Sequence, residues 1–377
     1  MKTRLLTSVF GLLLLLAGCT QPTIKTDDSN TIHIAVGSEN FQERILYSQL
    51  FDSVEYIVLE NSDDWIIGAI NNIYYYDNRF FILDRRQHIL FAFAKDGKLL
   101  WKINRRGQGP GEYSSIRNFV VYQSNLYLLV SPNRLLKFDL NGNFINDFPM
   151  NAFGTSFMIS GDWLYLYTCN HASVYANSSL LILNEFGQNF KKGIMPIQRH
   201  LMNVCRTFNE NRAFFRYSND IRFFTPFSTN IYSISDGDVS IKYSLDFGRN
   251  NIPMNFFRRN TIDNLRGTSF AHGLSSFWEN DLYFSFQIFV DGMLWDMLYF
   301  KKENRLIYGF LTDDITFCFP NIQFANNDFA VGFRTMDELH NEYNQARECR
   351  AGTVIEEIVR NSEEYDNPVL FILNFRR

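Results

Sequence analysis

The stretch ILFAFAKDG, residues 89–97, places a short apolar run directly before an Asp-Gly turn. The same order returns in LLKFDLNG at 135–142, LLILNEFG at 180–187 and IYSISDG at 231–237. Asp-Gly and Asn-Gly favour tight hairpins, because those turns need a positive φ. The four glycines, at 97, 142, 187 and 237, are 45, 45 and 50 residues apart. This period is typical of a β-propeller, in which each repeat is one four-stranded blade.

A second pattern gives the number of blades. A polar residue is followed by a mainly apolar strand at six places: Arg79–Leu83, Asn125–Leu129, Asp162–Leu166, Arg212–Phe215, Asp281–Phe284 and Asp328–Val331. These strands are more continuously apolar than alternating, which suits sheets that are buried on both faces by their neighbours. The sequence therefore predicts six blades.

The last two blades depart from the repeat. Lys301–Asn304 replaces the glycine turn in the fifth, and a glutamate-rich stretch from about Met336 to Ser362 interrupts the sixth. Such a composition favours helix. We expect Val54–Leu59 to join the sixth blade beside Val369–Leu373, because this pairing would close the ring and remove its free edges. The predicted fold is an all-β six-bladed propeller with a helical insertion in the last blade.

The N-terminus predicts export. Lys2 and Arg4 precede an apolar run, Leu5–Leu16, that is too short to span a bilayer, and small residues follow it. Leu16-Ala17-Gly18-Cys19 resembles the lipobox of bacterial lipoproteins, which implies lipidation of Cys19. The alternative is an ordinary signal peptide with a chance cysteine. We thus predict a lipoprotein signal peptide at 1–18, the lipidated cysteine and a flexible tether at 19–49, and the propeller at 50–377.

Composition narrows the classes of partner. A net charge of −4 argues against nucleic acid, which requires a basic face. The histidines at 33, 88, 171, 200, 272 and 340 and the cysteines at 169, 205, 318 and 349 show no metal-ligand spacing. We therefore predict no metal and no cofactor. Export would permit disulfides, although buried, unpaired cysteines are the simpler interpretation.

The sharpest local motif is RRGQGPGEY at 105–113. Its glycine N–H groups are suited to an anion nest, and five side chains are the candidate ligand-binding residues: Arg105, Arg106, Gln108, Glu112 and Tyr113. The structural alternative is a tight connection between blades one and two. The motif is neither a dinucleotide fingerprint nor a P-loop, because the glycine spacing differs and no Gly-Lys-Ser/Thr follows.

The chain resembles the six-bladed β-propeller lipoproteins of Bacteroidota, relatives of the NHL-type propellers. The resemblance rests on GQGPGEY at 107–113, on the entry strand DSVEYIVLE at 52–60 and on NPVL at 367–370. It implies the fold and a lipid-anchored place in the cell envelope. We expect the outer membrane, on its periplasmic or its surface face. The resemblance implies no defined activity.

Two classes of function follow from the sequence. The first is a non-catalytic binding module for a glycan, a peptide or an envelope protein. The second is a lyase or hydrolase with its active site at the propeller axis, which rests on analogy between folds. Aromatic residues at the channel mouth, with Tyr74–Tyr76, Trp163, Trp278 and Trp295 as candidates, would favour binding, although such side chains also pack between blades. Converging carboxylates or histidines would favour catalysis.

Replacing Cys19 tests the anchor. Cys19→Ala should move the protein from the membrane fraction to the soluble envelope fraction, because the thiol that carries the lipid is lost. Immunoblotting of separated fractions measures this, with Thr20→Ala as the control. Full retention of the Cys19→Ala protein in the membrane fraction would show that the lipoprotein interpretation is wrong.

Overall fold

The computed structural model describes residues 30–202, 212–253, 255–345 and 352–377. Three strands precede the first blade: β1 (Ile32–Ala35), β2 (Phe41–Leu46) and β3 (Phe51–Val58). Blade 1 contains β4 (Ile70–Tyr76), β5 (Arg79–Asp84), β6 (Ile89–Ala94) and β7 (Leu99–Ile103). Blade 2 contains β8 (Ser115–Tyr122), β9 (Asn125–Ser131), β10 (Arg134–Asp139) and β11 (Phe144–Pro149). Blade 3 contains β12 (Ser156–Ser160), β13 (Trp163–Tyr167), β14 (Ser178–Asn184) and β15 (Asn189–Pro196). Blade 4 contains β16 (Phe214–Tyr217), β17 (Asp220–Phe223), β18 (Asn230–Ser235) and β19 (Asp238–Asp246). Blade 5 contains β20 (His272–Glu279), β21 (Tyr283–Val290), β22 (Met293–Phe300) and β23 (Arg305–Thr312). Blade 6 contains β24 (Asn321–Ala325), β25 (Phe329–Arg334) and β26 (Val369–Phe375).

The six sheets form a closed ring. The first strand of each blade, β4, β8, β12, β16, β20 and β24, contacts the first strand of the blades on either side, so these strands surround the axis. Apolar side chains of adjacent blades share one core: Leu83 and Leu90 of blade 1 pack with Phe119 and Leu128 of blade 2. The predicted six-bladed propeller is confirmed.

The repeated turns have the predicted backbone. Gly97, Gly142, Gly187 and Gly237 all have positive φ. At Gly97 a Cβ would also lie 2.3 Å from the carbonyl oxygen of Val58 on β3, so glycine is required there for two reasons. In blade 5 the turn at 301–304 ends on Asn304 with φ 49°, a conformation that asparagine tolerates.

The ring is closed by pairing of the strand that directly precedes blade 1 with the last strand of the chain. β3 pairs with β26 antiparallel, with Val54 opposite Leu373 and Val58 opposite Val369, and it becomes the outermost strand of blade 6. Asn367 is buried; its side chain accepts from the Ile67 N–H at 2.8 Å and donates to the Glu60 carbonyl at 2.8 Å. The predicted closure is confirmed.

Residues 32–46 differ from the predicted tether. β1 pairs with β19 and β2 with β23, both in parallel, so each adds a fifth strand to the edge of blade 4 or blade 5. Ile34 and Ile45 are buried against those blades. These strands are short and half polar, so their sequences carry no strong strand pattern. Backbone hydrogen bonds to the existing edge of a blade hold them in the extended conformation. The predicted signal peptide and Cys19 lie outside the described residues.

The predicted helical insertion lies between β25 and β26, and its described residues contain two short helices, α1 (Met336–Gln345) and α2 (Val354–Arg360). Their apolar faces, with Leu339 and Ile355 at the centre, pack on Cys318 and Phe371. Short 3-10 turns occur at Ser38–Asn40, Tyr47–Gln49, Glu185–Gly187, Arg199–Leu201, Gly248–Asn250, Phe256–Arg258 and Ile262–Leu265. Among the described helices, none is long and apolar enough to cross a bilayer.

Two of the cysteines differ in state. Cys169 is buried and disulfide-bonded. Cys318 is a buried thiol that donates to the Thr316 carbonyl at 3.2 Å. The interpretation as a buried, unpaired cysteine therefore holds for Cys318 and not for Cys169.

Removing the closing strand tests how the ring is held. Deleting residues 52–60 should lower the melting temperature of the whole propeller in a single transition, because blade 6 loses its outer strand and blade 1 loses the packing of Ile57 and Leu59. Differential scanning calorimetry measures this. Val58→Ala is the control: its side chain is 42% exposed, and we expect a change within about 0.5 kcal/mol. Unchanged melting of the deletion variant would contradict the role of the closure.

Candidate functional site

The GQGPGEY loop connects β7 to β8 and lies at the face of the ring where the inner strands begin. Tyr113 is fully buried, and its hydroxyl donates to the carbonyls of His88 at 2.9 Å and Ile103 at 3.0 Å. Burial raises the pKa of this phenol to about 12. Tyr113 therefore anchors the loop to blade 1, and its side chain has no exposed surface to offer a ligand.

Glu112 occupies the position that an external anion would take in the nest. The Gly109 N–H donates to its carboxylate at 2.8 Å. A Cβ on Gly107 would lie 2.0 Å from the same oxygen, so glycine leaves the room that the carboxylate fills. The loop thus folds around its own acidic side chain.

The other three predicted ligand residues have exposed side chains. Arg106 donates to the Gln87 carbonyl at 2.8 Å, and the Arg105 guanidinium lies 5.9 Å from the centre of the Phe138 ring. Arg105, Arg106 and Gln108 thus lie together on one face of the ring. Their role in ligand binding stays a prediction.

The channel along the axis is narrow, and it is lined by amides, aromatic and aliphatic side chains and two arginines, Arg212 and Arg216. It encloses about 70 Å³. Asn72 donates to Asn118 at 3.3 Å across the first two blades, and Gln323 of blade 6 donates to Asn321 at 2.9 Å. This space suits water and not a ligand.

The channel widens at the face where the inner strands end, opposite the GQGPGEY loop. β8 runs from one face to the other, roughly 24 Å at the usual rise per residue. The wider cavity has a volume of about 460 Å³. We call it the tyrosine mouth after Tyr74, Tyr75, Tyr76, Tyr122 and Tyr217 in its wall. The rest of the wall is formed by Val121, Gln123, Arg216, Ser218, Asn219, Glu279, Phe324, Ala325, Asn326 and Asn327.

Equivalent places in the repeat supply these tyrosines. Tyr76, Tyr122 and Tyr217 are each the last residue of an inner strand, β4, β8 and β16. The hairpin that follows has a residue with positive φ in each case, which turns the chain at once and leaves the tyrosine at the rim.

Hydrogen bonds hold the rings in place. The Tyr75 hydroxyl donates to Asn78 at 2.9 Å, Tyr76 shares a 3.1 Å bond with Ser124, and the Gly161 N–H donates to the Tyr122 hydroxyl at 2.8 Å. Each bond fixes the polar tip of a ring in the wall of the cavity.

Of the aromatic candidates, only Tyr74–Tyr76 lie in this wall. Trp163 lies under the Lys191 ammonium at 3.5 Å, Trp278 is buried between blades 5 and 6, and Trp295 packs against Phe41 at the outer edge of blade 5. Sequence reasoning missed Tyr122 and Tyr217. Aligning the predicted inner strands by their last residues would have shown that a tyrosine recurs at that position.

Within the described wall of the mouth, Glu279 is the one carboxylate, and both of its oxygens are engaged. One oxygen accepts from the Tyr243 hydroxyl at 2.7 Å and pairs with the Lys301 ammonium at 2.7 Å; the other pairs with the Arg222 guanidinium at 2.6 Å. Burial lowers the pKa of Lys301, an effect that the charge of Glu279 opposes. This buried cluster joins blade 4 to blade 5.

Arg216, on β16, lies in the wall of the mouth, and its positive charge has no described acidic partner of this kind. Its guanidinium donates to the Ile159 carbonyl and lies 5.5 Å from the centre of the Tyr122 ring. In the described part of the chain, no carboxylate is within ion-pair distance of it. The described residues also contain no group of three histidine, cysteine, aspartate or glutamate side chains placed to hold a metal ion.

Glu279→Gln tests the buried cluster. The variant should lose about 3–5 kcal/mol of unfolding free energy, because Arg222, whose side chain is only 2% exposed, would lose its buried counter-charge. Guanidinium chloride unfolding measures this. Glu303→Gln is the matched control: its ion pair with Arg305 is half exposed, and we expect a loss within about 0.5 kcal/mol. Equal losses in the two variants would contradict a structural role for the cluster.

Comparisons with known proteins extend this description. The fold is similar to that of a protein of Bacteroides fragilis NCTC 9343 described as exported, with a TM-score of 0.73 and 16% identity over 92% of this chain and 100% of that one. A member of the DUF4221 family from Bacteroides vulgatus ATCC 8482 is similar with a TM-score of 0.50 and 7% identity, over 87% of this chain and 97% of that one. No curated protein matches the chain. The family model described as a domain of unknown function, DUF4934, matches residues 29–374, and the chain belongs to that family.

Proposed function

We propose that this protein is a non-catalytic binding module of the cell envelope that takes a saccharide ring into the tyrosine mouth. The observation that carries the proposal is the wall of that cavity, which combines five tyrosines with amide and hydroxyl side chains. About 460 Å³ lies within the range of sites for small ligands.

The chemistry of the wall suits a sugar. A pyranose ring presents C–H groups to an aromatic face, and its hydroxyls need donors and acceptors around the edge. The amides of Gln123, Asn219, Asn326 and Asn327 supply both at the rim. A peptide or an envelope protein, the other ligands that the sequence left open, would use the same tyrosines but would extend beyond the cavity.

A lyase or hydrolase at the axis has less support. Hydrolysis of a glycosidic bond by the usual route needs two carboxylates that face each other across the substrate. Glu279 is the one carboxylate in the described wall, and its oxygens are already bound by Lys301, Arg222 and Tyr243. Asp296 has a pKa raised by burial, but it lies between blades 5 and 6, where Gln287 and the Leu311 N–H donate to it.

We further propose that the protein is exported and lipid-anchored at Cys19, in the outer membrane. The basic, apolar and small residues of 1–19 support this, as does the exported Bacteroides protein of similar fold. The resemblance to NHL-type lipoproteins agrees with the proposal. Arg105, Arg106 and Gln108, on the face opposite the mouth, stay candidates for a separate contact.

Removal of single tyrosines tests the site. A glycan array identifies the strongest ligand of residues 30–377, and titration calorimetry then compares variants. Tyr76→Ala and Tyr122→Ala should each raise the Kd about 2–10-fold, because one aromatic contact contributes about 0.5–1.5 kcal/mol. Tyr365→Ala is the control, since this ring is 80% exposed and lies outside the mouth.

The outcomes separate the functions. Binding of an intact glycan that weakens only in the mouth variants would support the module. Cleavage of the glycan would favour the lyase or hydrolase, and equal binding by all variants would contradict the proposed site. If no glycan binds, the saccharide proposal fails, and a protein partner becomes the better hypothesis.

A further inference from the structure

Arg216 lies at the neck of the site. Its side chain lines both the narrow channel and the tyrosine mouth, so a ligand that enters the mouth meets this guanidinium at the deepest point. β16 supplies the residue, and its guanidinium donates to the Ile159 carbonyl of β12, the inner strand of the neighbouring blade 3. The ring of Tyr122 supports the guanidinium from the side.

The charge of Arg216 is not used to hold the fold. Two other arginines have acidic partners: the buried Arg222 pairs with Glu279, and the partly buried Arg134 pairs with Asp147 at 2.5 Å. Arg216 has the Ile159 carbonyl and the Tyr122 ring, both neutral. A guanidinium has five N–H donors in a planar fork that matches a carboxylate or a sulfate, and it stays charged at every physiological pH.

The rest of the wall does not neutralise this charge. Glu279 is bound by Lys301 and Arg222, and the other lining residues are tyrosines, amides, a serine and apolar side chains. The charge of Arg216 also acts on Tyr74, where it opposes the rise in the pKa that burial causes. Arg216 is therefore the one cationic side chain of the described wall, and the carboxylate of Glu279 is already engaged by Lys301 and Arg222.

From this arrangement we infer that the ligand of the tyrosine mouth is an acidic saccharide whose carboxylate or sulfate binds the Arg216 guanidinium while its ring contacts Tyr122. The inference rests on the proposed function and adds the chemical class of its ligand. A charge-assisted pair with arginine is stronger than a neutral hydrogen bond, so the anion would dominate selectivity.

Matched probes test the charge alone. Oligogalacturonate and its methyl ester have the same rings and differ in the carboxylate, and N-acetylgalactosamine with and without a 6-sulfate provides the second arm. Titration calorimetry with residues 30–377 should show at least tenfold tighter binding of one charged member than of its neutral partner. The arm that shows the difference identifies the anion.

Variants assign the effect to one residue. Arg216→Gln should weaken the charged probe about tenfold or more and leave the neutral probe unchanged, and Arg216→Lys should restore only part of the loss, because lysine lacks the planar fork. Arg305→Gln is the control: Arg305 is half exposed, pairs with Glu303 and is not in the wall. Thermal melting of each variant checks that the fold is retained.

Each result decides the inference. Equal binding of charged and neutral probes, or a charge preference that survives in Arg216→Gln, would overturn it and leave the binding module standing. Binding of neutral glycans only would do the same. Binding of no glycan at all would overturn both the inference and the proposed function.

Discussion

The pairing of β3 with β26 is the constraint on which the rest of the structure depends. A propeller blade is apolar on both faces, so every blade needs two neighbours, and an open ring would expose two such faces. The bonds between Val54–Val58 and Val369–Leu373, with Asn367 bound to the backbone of Glu60 and Ile67, tie the strand before blade 1 and the last strand of the chain into one sheet. Blade 1 then packs on that sheet through Ile57 and Leu59.

Closure also creates the site. Once the ring is complete, the ends of the inner strands converge at one face, and Tyr76, Tyr122 and Tyr217 occupy equivalent places around the axis. The Gly107–Tyr113 loop lies at the other face and is held by the internal contacts of Glu112 and Tyr113. A motif that is conspicuous in the sequence thus connects two blades, while residues without a motif form the cavity.

The electrostatics of the mouth divide into two parts. Glu279, Arg222 and Lys301 compensate one another in a buried cluster, which a protein retains only if each charge has its partners. Arg216 contacts a carbonyl and an aromatic ring and keeps its charge for the cavity. The wall of the mouth therefore contains Glu279, whose charge is compensated, and Arg216, which has no carboxylate partner among the described residues.

The sequence by itself determined the blades, because the turns at Gly97, Gly142, Gly187 and Gly237 depend on local backbone conformation and the strands on their own apolar composition. It also indicated the closing strand and the helical insertion. It did not indicate β1 and β2, which form strands because they pair with the edges of blades 4 and 5. Nor did it bring together Tyr76, Tyr122, Arg216 and Glu279, which are far apart along the chain. Only the tertiary structure decided that set, because the rotation of each blade about the axis, and not any local pattern, determines which side chains meet.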